Sequence, residues 1–243
     1  MRILLISDIH SNLTALNAVL QAAGNFDAVW CLGDTVGYGP DPNECIDVLR
    51  GLPNLACVVG NHDVAALNLF DINAFNYEAR QATRWTQTIL KSEQREFLQG
   101  LPDRLVCQDV TLVHGSPRQP RWEYLLDLPS AAANFELFDT AYCFVGHTHV
   151  PLCFSQDSKN KETIGHILQH QETPVMEGRR LILNPGSVGQ PRDHDPRASF
   201  AIFSPETRHW ELRRVEYDIE IVQTRMRQQN LPLRLIHRLS EGW

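Results

Sequence analysis

Asp8 and His10 flank Ile9, His147 and His149 flank Thr148, and Asp34, Asn61 and His114 each adjoin a glycine. Carboxylates and imidazoles are the hard and borderline donors that divalent transition metals accept. Residues two apart on extended backbone point to the same side, so Asp8 and His10 would face one way while Ile9 enters the core. The same spacing applies to His147 and His149. Two such pairs converging from neighbouring strand ends would supply a carboxylate and three imidazoles, and Asp34 could bridge two ions.

A lone Asp-x-His is ordinarily a turn or a satisfied surface pair. Here five clusters occur, each after an apolar run: 3–6, 28–32, 55–59, 110–113 and 141–145. Buried parallel strands read as such runs, and they would aim every cluster at one sheet edge. Core packing alone does not demand this arrangement.

The elements needed to position the clusters can be read around them. Asn12 to Ala23 places Leu13, Leu16, Val19, Leu20 and Ala23 near a 3.6 period, and Gly24 offers a stop, which predicts a helix. A second helix is expected over 42–50, giving a β-α-β-α-β start and a parallel sheet with right-handed crossovers. Residues 64–100 read as a helical cap, with helices at 79–90 and 92–98 and Ser92 as an N-cap. Strands are expected at 104–107, 110–113, 141–145, 151–155, 180–183, 198–203 and 209–215. That many strands fit two mixed sheets packed face to face with helices outside, in a single domain over 1–243.

Taken together, the clusters resemble the motifs of the calcineurin-like metallophosphoesterases, D-x-H, G-D, G-N-H-D/E, H and G-H-x-H, in that order. Every motif position is filled, and the resemblance runs from residue 1 to about 217. It is nearest the small bacterial and archaeal phosphodiesterase branch, which shares the segment Asn184 to Arg192. The resemblance implies a four-layer α/β/β/α sandwich and two divalent metal ions, one on Asp8, His10 and His149, the other on Asn61, His114 and His147, with Asp34 bridging. A metal-bridging water or hydroxide would attack phosphorus in line. His62 would approach the leaving-group oxygen as proton donor, and Asp63 would orient its imidazole and favour the protonated form. Some relatives in this branch carry cysteine at the histidine position; this chain keeps His62.

The expected reaction is hydrolysis of a small or nucleotide-like phosphodiester. The alternatives are a phosphomonoesterase, a Ser/Thr protein phosphatase, a diadenosine polyphosphate hydrolase, or a non-catalytic interaction scaffold. Mixed nitrogen and oxygen donors favour Mn²⁺, and Fe, Zn, Ni or Co fit the same set. Tyr38 could stack on a base or an aryl leaving group, or could simply pack. Arg192 could clamp a phosphate bidentately, or could pair with Asp193 or Asp195.

Composition bounds the rest. The chain has 243 residues, 43% of them hydrophobic, which is enough for a sizeable core. A net charge of −7 argues against general duplex nucleic-acid binding. The six cysteines, Cys31, Cys45, Cys57, Cys107, Cys143 and Cys153, form no C-x-x-C pair and read as reduced thiols. No apolar run approaches a membrane span, and the first strand starts at Arg2 with no leader before it, so a cytoplasmic location is the default expectation. Residues 156–173 are polar; His166 and His170, four apart, lack a third ligand, so the stretch is expected to be a solvated helix or mobile insertion. Residues 218–243 read as two helices divided by Pro232, serving packing or a homo-oligomer contact.

Overall fold

The computed structural model describes residues 1–243. In chain order the first half holds β1 (Ile3–Ile6), α1 (Leu13–Ala23), β2 (Ala28–Cys31), α2 (Pro42–Arg50), β3 (Ala56–Cys57), α3 (Asn61–Ala66), α4 (Tyr77–Ile89) and α5 (Ser92–Gln99). Next come β4 (Arg104–Cys107), β5 (Val110–Val113), α6 (Leu128–Phe135), β6 (Tyr142–Phe144), β7 (Pro151–Asp157), β8 (Thr163–Ile167) and β9 (Arg179–Pro185). The chain ends with β10 (Ala198–Ser204), β11 (His209–Val215), α7 (Ile219–Gln228) and α8 (Leu233–Glu241).

Two mixed sheets result. The first has the order β11-β10-β1-β2-β3, parallel through β1, β2 and β3; the second has the order β4-β5-β6-β9-β7-β8. Alternate residues of each strand leave opposite faces, which divides the apolar runs between two cores. Leu5, Trp30 and Phe203 of the first sheet meet Leu112, Phe144 and Leu183 of the second in the central layer. On the outer face of the first sheet, Leu4, Ile6 and Val29 pack on Leu16 and Val19 of α1. Phe135 of α6 covers Val145 and Ile182 on the outer face of the second. Each fully buried aliphatic or phenyl side chain of this kind contributes about 1.5–3 kcal/mol. The layering is α/β/β/α, and no helix is long and apolar enough to cross a membrane.

The helix signals act locally. Asn12 caps α1 by accepting from Ala15 N at 3.0 Å, and Gly24 ends it at φ 67°. Ser92 is the first residue of α5 rather than its cap; Lys91 takes that place without a side-chain bond. The run 55–59 pairs with β2 only at Ala56 and Cys57. α6 and β8 lie outside the sequence expectation, and α3 begins at Asn61, ahead of the helical stretch expected from 64.

Of the two readings of 156–173, a solvated helix or a mobile insertion, the helix is corrected. Thr163–Ile167 is a strand, paired with β7 from Leu152↔Ile167 to Gln156↔Thr163. The turn before it is held by Asp157 Oδ1, which accepts from Lys159 N at 2.8 Å. His166 and His170 therefore share no helix face: His166 Nε2 meets Glu172 at 2.7 Å, and His170 Nδ1 accepts from Arg214 N at 3.2 Å. At the C-terminus, Val222, Met226, Leu235 and Leu239 of α7 and α8 pack with Ala79 and Ala82 of α4 and with Tyr38.

Candidate metal centre

Four of the clusters occupy the loops where β1, β2, β5 and β6 end, and the fifth, Gly60 to Asp63, opens α3 after β3, but the paired donors are not on extended backbone. Asp8, His10, Asp34, His147 and His149 all lie at positive φ, between 47° and 66°. The extended geometry read from the spacing is thus corrected to a set of left-handed turns, although Ile9 is fully buried as expected. Such a conformation costs a non-glycine residue about 1–2 kcal/mol, so surrounding bonds must hold it. Asp8 N donates to Gly33 O, His10 N to Asp34 O and Ser11 N to Thr35 O, all at 3.0 Å. This zipper of turn against turn brings Asp34 beside the Asp8–His10 pair.

The segment Asn184 to Arg192 acts as a clamp beneath these turns. Ser187 Oγ donates to Asp8 O at 2.8 Å, Gly189 N donates to the same oxygen at 2.9 Å, and Asn184 Nδ2 reaches Gly146 O at 2.7 Å. One loop thereby ties the Asp8 turn to the His147 turn.

Asp8, His10 and His149 form one group of donor atoms, all within 4.8 Å of one another and all buried. His10 Nε2 and His149 Nε2 face each other at 3.0 Å. Their Nδ1 atoms lie against Val36 O at 3.1 Å and Gln190 O at 2.6 Å, so both protons belong on Nδ1 and both lone pairs converge. Asp8 Oδ2 takes Ser7 Oγ and His147 N, which leaves Oδ1 buried without a hydrogen bond, 3.2 Å from His149 Nε2.

Asp34, His114 and His147 form the second group. His114 Nδ1 is held by Leu32 O at 2.8 Å, and its Nε2 lies 3.0 Å from Asn61 Oδ1, 3.1 Å from His147 Nδ1 and 3.3 Å from Asp34 Oδ2. Asp34 Oδ2, itself without a hydrogen bond, is also 3.6 Å from His10 Nε2. It sits between the groups. Its other oxygen accepts from His62 N at 2.8 Å, an approach open only because residue 60 is glycine: a Cβ there would stand 2.1 Å from Asp34 Oδ1.

Orphaned lone pairs facing one another in a buried site are what a pair of cations would satisfy, and the two groups fit a dinuclear site. Protonation agrees. Burial alone would raise Asp8 and Asp34, yet the neighbouring histidines hold both carboxylates well below their usual range. Burial, reinforced by neighbouring positive charge, lowers His10, His149 and His147, the last to about 3. His114 differs: burial works against its proton, but Asp34 outweighs burial and raises it to about 9.

His62 lies at the rim of this centre, its ring 5.0 Å from His10, with Nδ1 buried and unpartnered. Burial lowers it to about 4 despite the attraction of Asp34. Asp63 does not hydrogen-bond to that imidazole, which corrects the orienting role expected for it. Its two oxygens accept instead from Val36 N at 3.1 Å and Gly60 N at 2.9 Å, bracing the loops that carry Asn61 and Tyr38.

Tyr38 is buried, with its ring against both His10 and His62, so it packs rather than offering a face for a base. Arg192 forms no ion pair with its neighbours. Asp193 is taken by Arg214, and Asp195 by Arg197 at 2.6 Å. The Arg192 guanidinium turns toward Gln190 Oε1 at 3.1 Å and the Tyr38 hydroxyl at 3.4 Å, and its Nε is buried without a partner. Residues missed in the sequence complete the rim: Tyr124 stacks on His147 at 3.9 Å, and Phe75 on His62 at 4.8 Å. They sit in segments with no motif and no periodicity to mark them.

Comparison with known proteins bears on the same constellation. An uncharacterized protein of Methanocaldococcus jannaschii is 39% identical over 249 residues, covering 99% of this chain and 98% of the relative. A metallophosphoesterase from Sphaerobacter thermophilus, of solved structure, is 48% identical, with coverage of 100% and 99% and a TM-score of 0.92. A hypothetical protein from Pyrococcus horikoshii shares the fold at a TM-score of 0.80 and 23% identity, with coverage of 100% and 98%. The calcineurin-like phosphoesterase superfamily domain matches residues 1–208. With its metal-compatible donors on the matching sandwich, the chain belongs to the calcineurin-like phosphoesterase superfamily, a family of metal-dependent hydrolases.

Proposed function

We propose that the protein is a dinuclear metal-dependent phosphodiesterase acting on a small phosphodiester. The observation that carries this reading is the shared position of Asp34 Oδ2 between two histidine groups whose lone pairs converge. Asp8, His10 and His149 would hold one ion, Asn61, His114 and His147 the other, with Asp34 between them. When bound, two such cations supply Lewis acidity toward the phosphoryl oxygens and a water acidic enough to act as nucleophile near neutral pH. Donors of nitrogen and oxygen without thiolate favour Mn²⁺.

The chain's own residues supply the remaining roles. Arg192 is the guanidinium whose field reaches His10, His62 and His149, and its unpartnered Nε suits a phosphoryl oxygen. His62 has Nδ1 packed against Gly37, which leaves Nε2 as the atom able to reach a leaving oxygen. The arriving anion favours the protonated ring, and the proton passes to the leaving alcohol.

The test is turnover of bis(p-nitrophenyl) phosphate against p-nitrophenyl phosphate by chelator-treated protein reloaded with Mn²⁺. Faster hydrolysis of the diester is expected; preference for the monoester overturns the reading.

A further inference from the structure

Five rings run outward from the metal centre in an unbroken ladder: Tyr38, His62, Phe75, Phe70 and Trp122. Tyr38 lies 4.4 Å from His62, His62 stacks on Phe75 at 27°, Phe75 meets Phe70 at 5.4 Å, and Phe70 meets Trp122 at 4.1 Å. Phe70 and Phe75 flank the short turn Ile72–Ala74 between α3 and α4, whereas Trp122 comes from the connection between β5 and α6. The inner two rings are buried. The outer three are each partly exposed, and Tyr124, stacked on His147 beside them, is 49% exposed.

Rings serving the core alone would be covered, as Trp210, Phe144 and Phe203 are here. These stay partly exposed at the rim of a polar centre instead, Phe75 with one side also against the α4, α7 and α8 cluster. No guanidinium lies over Phe70, Phe75 or Trp122, and the adjacent Arg118 and Arg121 are taken by Glu123 and Asp103. The ladder therefore attracts by stacking, and phosphate recognition falls to Arg192 and the metal donors.

We propose that Phe75, Phe70 and Trp122 form a subsite for a planar aromatic group, a nucleobase in chemical class, carried by the phosphoester on the side of His62. The inference rests on the phosphodiesterase reading, since His62 must stand at the leaving-group side for the ladder to receive that group. Stacking of a base on an aromatic side chain changes affinity by roughly 5- to 150-fold and is tolerant of base identity. The subsite then selects nucleotide-like esters over those of simple sugars or glycerol.

Mn²⁺-loaded full-length protein is titrated by calorimetry with adenosine monophosphate and with ribose 5-phosphate, which differ in the base alone. The nucleotide is expected to bind roughly 10-fold more tightly. That ratio should fall to within about twofold in Trp122→Ala and persist in Trp122→Phe, which keeps a ring. Circular dichroism checks the fold of each variant; should Trp122→Ala not fold, Phe70→Ala carries the same comparison. Equal affinity of the two ligands for the unaltered protein, including binding of neither, overturns the subsite. Turnover of bis(p-nitrophenyl) phosphate separates the two readings. Hydrolysis without a base preference leaves the phosphodiesterase and removes the subsite; a base preference without diester hydrolysis leaves the subsite and removes the phosphodiesterase.

Discussion

His10 and His149 meet Nε2 to Nε2 at 3.0 Å, each with its Nδ1 anchored on a backbone carbonyl. Two neutral imidazoles held this way repel through their lone pairs unless a cation lies between them. Removal of metal by a chelator should therefore destabilise the fold. At a metal concentration 100-fold above its dissociation constant the linkage is about 2.7 kcal/mol, or a loss of about 5–10 °C in Tm for a chain of this length. Calorimetric melting with and without chelator measures it, and an unchanged Tm would argue against a loaded site.

Asp34 joins the two donor groups, so its loss should disturb both. Asp34→Ala is expected to lower metal content from two ions per chain to one or none, read by elemental analysis of the purified variant. Retention of both ions would sink the bridging assignment.

His62→Ala should behave in the opposite way. Both ions stay, since the ring is not among the converging donors, while turnover of a phosphodiester falls about 100-fold or more. Loss of metal in proportion to activity would make His62 structural.

Gly37 tests the support beneath that ring. At φ 98° it adopts a conformation hostile to L side chains, and a Cβ there would stand 2.9 Å from His62 Nδ1. Gly37→Ala is expected to cost about 1–2 kcal/mol of stability and to lower kcat at unchanged metal content, because His62 must move. An unchanged kcat would show that the ring's position is not critical.

His114 gives a pH dependence. In the metal-free protein burial works against its proton, but Asp34 holds that proton up to about pH 9, above the ordinary 6.5. The stabilisation from this raised value is fully present below about 6.5 and is lost as pH rises through 9. A metal ion must displace the same proton. Apparent metal affinity should therefore climb by up to about tenfold per pH unit between 6.5 and 9, with release of a proton on binding. Competition with an indicator dye across that range checks it; a flat profile would mean that His114 carries no such proton.

The helices and strands were legible where periodicity and breakers agreed. α2 matches its expected bounds of 42–50, and α7 and α8 divide at Pro232. Legibility failed where backbone geometry departs from repeating structure. Nothing in Asp8-Ile9-His10-Ser11 announces that Asp8, His10 and Ser11 take positive φ, because left-handed conformation in non-glycine residues is imposed by neighbouring chain, here Gly33 O, Asp34 O and Thr35 O. Asp63 looked like a partner for His62 by adjacency; in α3 their side chains diverge, and the carboxylate braces Gly60 and Val36. The 163–167 strand was obscured by the polar stretch around it and by its lack of alternation, since its two isoleucines, Ile164 and Ile167, fall three apart and are both exposed.

By itself the sequence determined the donor types, their order along the chain and the apolar strands that deliver them, because these depend on residue chemistry and short-range periodicity. Only the tertiary structure decided which lone pairs converge and that Arg192 stays unpaired while Arg214 and Arg197 take Asp193 and Asp195. The joining of Phe70, Phe75 and Trp122 into one ladder was decided there too. Those are long-range facts. They arise where two sheets bring loops distant in sequence to one edge, and no local pattern encodes the distance between residues that far apart.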